Sequence, residues 1–122
     1  MMLNLREDQM EALGRAGEET FVTRMADHLR RDFPAELQRH GIAPAQVEDL
    51  VRRGMADARG YGVEYEADLQ LYLECLLLLG PAFDRDPQLP WARAILTRGD
   101  LDGAGKMDQI DEALLFALGE PR

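Results

Sequence analysis

The segment EYEADLQLYLECLLLLGP, residues 64–81, narrows most sharply what this chain can fold into. On a 3.6-residue period it carries two apolar stripes. Leu69, Tyr72, Leu73, Leu76 and Leu77 form one side, and Leu71, Cys75, Leu78 and Leu79 form another. A helix apolar nearly all round has to be enclosed by other elements. Glu74 interrupts the run and Gly80-Pro81 ends it as cap and breaker. It therefore falls well short of the roughly 20 apolar residues that a membrane span requires. The segment reads as the central helix of a globular domain, and the flanking sequence must supply what covers it.

That flanking sequence is helical in spacing. Phe21, Met25, Leu29 and Phe33 recur every four residues, with Val22 and Ala26 beside them, and Pro34 closes the segment. Upstream, Leu5, Met10, Leu13 and Ala16 suggest a shorter helix capped by Asn4. PAELQRHG gives one or two turns ending at Gly41, and Pro44 opens a helix whose face is Val47, Leu50, Val51, Gly54 and Ala58. Gly54 costs about 1 kcal/mol relative to Ala in a helix interior, so its presence points to close packing. FDRDPQLPW reads as an ordered loop, with Trp91 opening a short helix and serving as a core anchor. No segment shows period-two alternation and no repeat is present. The expected fold is all-α: one compact domain over residues 1–122, with five to seven helices around a buried central helix at about residues 64–79. A chain of 122 residues can bury such a core without disulfides.

The residue inventory is poor in chemistry. There is no Ser, one Cys and two His. Cys75 lies in an apolar run, where burial suppresses the reactive thiolate. His28 and His40 stand among charges and at a helix end, and no CxxC, HxxxH or HExxH spacing offers zinc ligands. Neither an enzyme nor a cofactor is expected. Of the net charge of −9, residues 61–122 carry −7. With Lys106 as the sole lysine, the chain lacks the basic patch that phosphate neutralisation needs, so no nucleic-acid partner is expected. The expected partner is another protein with a basic or apolar docking surface; composition leaves the oligomeric state open. The opening MMLNLREDQM has no basic-then-apolar leader pattern, which leads to the expectation of a cytoplasmic protein.

Two acidic stretches invite closer reading. Counted as a calcium loop from Asp100, RGDLDGAGKMDQIDEALL places Asp102 at position 3, Gly105 at 6, Asp108 at 9 and Asp111 at 12. Position 5 is Ala104, which has no ligand oxygen, and Asp111 reaches less far than the bidentate Glu usual at the twelfth position. A weak EF-hand-like site at residues 100–111, held by Asp100, Asp102, Asp108 and Asp111, is the alternative of another class. The preferred reading needs no metal. Asp100 or Asp102 caps a turn, and Asp108, Asp111 and Glu112 lie near the start of the last helix, where carboxylates meet its positive end. Asp84 and Asp86, beside prolines, read as turn residues.

In the last helix Met107, Ile110, Leu114 and Leu118 form the main buried face, leaving Leu115 and Phe116 directed partly away from it. With Asp111 and Glu112 as a polar rim, these two are the expected partner-binding residues; the alternative is that they pack against the N-terminal helix.

Three stretches, FVTRMADHLRRDFP, VRRGMADARGYGVEYEADLQLYL and LGPAFDRDPQLPWARAIL, resemble a family of small bacterial proteins associated with type VI secretion gene neighbourhoods. The likeness spans most of the chain and is weakest at Asp100 to Asp111. It brings no catalytic residues with it. It implies an accessory role: an adaptor or chaperone for a secreted toxin or spike component, or alternatively an immunity protein that blocks the toxin.

Overall fold

The computed structural model describes residues 15–118. Among these, six α-helices and two short 3-10 turns form and no strand does. The helices are α1 (Arg15–Asp32), α2 (Pro34–Arg39), α3 (Val47–Gly60), α4 (Glu66–Leu78), α5 (Pro90–Leu96) and α6 (Gly103–Ala117). Of the shorter helix expected from Leu5, Met10, Leu13 and Ala16, Ala16 falls within α1 and the rest lies outside the described residues.

Helix α1 buries Phe21, Val22, Met25, Ala26 and Leu29 and packs mainly on α3. Phe33 continues the spacing but not the helix, since the residue before a proline is pushed out of the α region. It stands at φ −128° as the N-cap of α2 and is only partly buried. After α2, the Gly41 amide donates to the Gln38 carbonyl and the Ile42 amide to that of Leu37. Gly41 is at φ 68°, the left-handed closing conformation that glycine adopts without strain.

Helix α3 buries every residue of its expected face, with Met55 added. Gly54 is the contact point with the central helix: a Cβ there would stand 2.7 Å from Leu76 Cδ1 and 2.8 Å from Leu73 Cδ2. The absent side chain lets the two backbones approach. Helix α4 is the centre of the core, touching α2, α3 and α6, with Leu69, Tyr72, Leu73, Cys75, Leu76 and Leu77 buried. Leu71, Leu78 and Leu79 of the second stripe are only partly covered and rim the core.

Beyond Gly80, a 3-10 turn (Phe83–Arg85) buries Phe83 against the Tyr72 ring, with centroids 5.1 Å apart. Pro90 starts α5, which buries Ala92 and Leu96. Trp91, expected as a core anchor, is half-buried at the edge of the core instead.

The start of α6 is fixed to the end of α3. Gly62 at φ 89° closes α3, and a Cβ on Gly103 would collide with the Gly62 carbonyl, so backbone meets backbone directly. Lys106 Nζ donates to the Tyr61 carbonyl at 2.8 Å. No helix among the described residues is long and apolar enough to cross a membrane.

Candidate docking surface

Helix α6 turns a narrow stripe inward: Gly103, Met107, Ile110 and Leu114 are buried. Ala104, Gly105, Lys106, Gln109 and Ala113 flank that stripe half-exposed. Leu115 is 51% exposed and Phe116 84%, and Asp108, Asp111 and Glu112 are exposed as well. On i, i+4 spacing Asp108, Glu112 and Phe116 line one edge, and Asp111 and Leu115 the next. The four residues expected to bind a partner therefore share one outer face. Leu118, expected in the buried stripe, is corrected: the helix ends at Ala117, and Leu118 follows as the C-cap, 50% exposed. It adds to the apolar tip. Asp108, Asp111 and Glu112 make no ion pair among the described residues.

The acidic loop before α6 divides its residues among separate tasks. Arg98 donates to both oxygens of Asp100, at 3.0 Å from Nε and 2.6 Å from Nη2, and holds that carboxyl below the usual carboxylate range. Asp102 is the N-cap of α6, its Oδ1 accepting from the Gly105 amide at 2.8 Å. Asp108 and Asp111 stand on the helix itself. Their expected place near the helix start, together with Glu112, is corrected: α6 begins at Gly103 and has no acidic residue in its first turn. Asp102 alone meets the exposed amides. Among the described residues no group of three or more His, Cys, Asp or Glu is placed to hold a metal ion.

The two histidines tie elements together. His28 of α1 sits between two carboxylates, Nδ1 at 2.9 Å from Asp32 and Nε2 at 2.7 Å from Glu74 of α4. Gln70 donates to the same Glu74 oxygen at 3.1 Å. His40 Nε2 lies 3.0 Å from the Leu77 carbonyl, in the last turn of α4. Cys75 is buried, and burial, with Glu74 and Asp111 nearby, pushes its thiol up to about 12.

Local sequence gave no sign of two features. Asp86 is the turn residue it was read as, accepting from the Gln88 amide at 2.8 Å. Asp84 is a turn residue too, inside the 3-10 turn, but it is also buried: at 3% exposure it accepts from the Tyr61 hydroxyl at 2.7 Å, with Arg85 Nε at 3.5 Å. Its burial depends on a tyrosine in a different element, and no short spacing announces that. The second feature is a groove of about 560 Å³ lined by Ile42, Leu50, Arg52, Arg53 and Pro81, among others. Three separate segments build it, so it exists only in the folded chain.

Comparison with protein-family models, curated proteins and solved structures found no match.

Proposed function

We propose that this chain is a non-catalytic protein-binding module that engages its partner through the outer face of α6. The observation that carries this reading is the apolar tip of Leu115, Phe116 and Leu118, continuous along the helix with Asp108, Asp111 and Glu112, whose carboxylates make no ion pair among the described residues. Adjacent large apolar groups in water favour covering by another surface, and a charged rim fixes its chemistry. The complementary partner carries an apolar recess bordered by Arg or Lys. The non-catalytic part of the reading is supported by residue supply: the chain has no Ser, and its one thiol is buried.

The proposed role is adaptor or chaperone for a secreted toxin or spike component of a type VI secretion system. That assignment rests on the resemblance of the three quoted stretches. Affinity capture from the producing bacterium, with the bound protein identified by mass spectrometry, tests both parts. The parent should retain a toxin or spike component, and Leu115→Glu with Phe116→Glu should lose it while circular dichroism stays helical. Undiminished capture by the folded double variant would place the docking face elsewhere. Inhibition of a captured toxin's activity would make the role that of an immunity protein.

A further inference from the structure

We infer that residues 2–13 are the resting cover of the α6 tip, a strap of the same chain that lies along the outer face of α6 until a partner displaces it. The inference rests on the reading of the tip as a docking surface and adds how that surface is regulated. On helical spacing the stretch MLNLREDQMEAL separates its charges by side. Leu3, Arg6, Met10 and Leu13 share one stripe, on which Arg6 is the sole charge, and Asn4, Glu7, Asp8 and Glu11 share the other side. An apolar stripe carrying one cation is what the outer face of α6 selects. That face exposes Leu115 and Phe116, and its Asp108, Asp111 and Glu112 make no ion pair among the described residues. Covering the tip removes apolar surface from water, and the charges choose which side of the strap faces α6.

The strap also leaves the fold at the right place. Glu18, in the first turn of α1, lies 2.7 Å from Arg59 in the last turn of α3. Just beyond Arg59, the Tyr61 carbonyl accepts from Lys106 and Gly62 abuts Gly103. The chain before Arg15 therefore departs beside the root of α6, and Gly14 tolerates the backbone conformations that a reversal needs. Helix α6 is about 22 Å long, and a helical strap of residues 2–13 is about 18 Å, so it reaches from the root to the tip. Laid antiparallel, the two come into step. Arg6 is nine residues from Arg15 and Glu112 nine from Gly103, whereas Leu3 and Leu115 are each twelve away. One register thus sets the cation on the carboxylates and the leading apolar residue on the tip. Because the strap is tethered, its effective concentration is on the order of millimolar, which holds a weak contact that a tighter partner displaces.

Disulfide closure in the full chain tests this. Leu3→Cys is paired with Leu115→Cys, or as a control with Thr23→Cys, which is exposed on α1 and nearer the strap's origin. The native Cys75 is buried and does not compete. Under mild oxidation the Leu3–Leu115 pair should close within one molecule on the order of ten-fold faster than the control, through its higher local concentration. Adding Arg6→Glu should slow that closure, most of all at low salt where the charges are least screened. In the chain without added cysteines, Arg6→Glu should capture several-fold more partner, with unchanged circular dichroism. Equal closure of the two pairs overturns the inference and leaves the docking reading to the Leu115→Glu, Phe116→Glu capture experiment. Closure indifferent to Arg6→Glu overturns it as well, since the charges would not seat the strap. Selective closure with capture unaltered by Arg6→Glu also overturns it, because the segment would then be a fixed part of the fold rather than a cover.

Discussion

Two tyrosines in one cluster hold hydroxyls of opposite standing. Tyr61 donates to buried Asp84, whereas the Tyr72 hydroxyl is fully buried with no hydrogen-bond partner among the described residues. Burial raises the pKa of both phenols, and Asp84 adds to the effect at each. An unsatisfied buried donor costs about 1–3 kcal/mol, and replacing it with an apolar group of the same shape removes that cost. Tyr72→Phe should therefore leave stability unchanged or raise it by about 1 kcal/mol. Tyr61→Phe, which deprives a buried carboxylate of its donor, should lower it by about 1–3 kcal/mol. Urea titration of the two variants against the parent checks the contrast; equal losses would show that Tyr72 is satisfied in solution. Cys75 gives a second residue-scale outcome. Its thiol, pushed up to about 12 in a buried site, should resist an aromatic disulfide reagent at pH 8 in the native protein and react at once in urea.

Among the elements, the central helix was the most legible part of the sequence, because its two apolar stripes left no exposed side to assign. Leu73→Ala or Leu76→Ala should cost about 2–5 kcal/mol, read as a fall in the urea midpoint. Gly54 was legible in kind, as a glycine whose helix cost implied close packing, but its partners Leu73 and Leu76 were not. Gly54→Val should destabilise by about 1–3 kcal/mol through overpacking, although valine has the better intrinsic helix propensity. Helix α6 is less legible. Its apolar spacing runs through Leu118 without a break, and spacing cannot tell where neighbouring elements stop covering a helix. Its start is not legible, because glycines do not advertise a helix and the role of Asp102 as cap depends on its bond to the Gly105 amide. Asp102→Ala should cost about 1 kcal/mol through the lost cap. Asp100 and Asp102 are committed to Arg98 and to that amide, so millimolar calcium should leave the melting temperature unchanged in the parent and in Asp100→Asn with Asp102→Asn. A calcium-dependent rise in the parent alone would restore the EF-hand reading. The Asp84 pair and the groove were illegible, since each is assembled from segments far apart in sequence.

For the molecule as a whole, the shifted groups set a stability profile with two shoulders. Asp32 is held low chiefly by Arg31, with His28 contributing, and Asp100 is held low by Arg98. A carboxyl with a depressed folded value contributes stability above its unfolded value and loses it as pH falls through the folded one. The acid shoulder should therefore begin near the ordinary value of 3.8 and continue below it. Cys75 acts in the opposite sense. Its folded value lies above the unfolded 9.0, so its contribution is intact below that pH and lost as pH rises toward about 12. Urea midpoints across the pH range should show a plateau between these limits, and Cys75→Ala should weaken the alkaline shoulder. Mechanically, α6 is a beam bedded along most of its length. Its root is fixed where Gly103 abuts Gly62 and Lys106 grips the Tyr61 carbonyl, and Met107, Ile110 and Leu114 keep it seated, whereas past Leu114 no residue as far as Leu118 is buried. The overhang is only one turn, so a load applied at Phe116 passes at once to the bedded part, and the tip presents its side chains as a short, stiff stub.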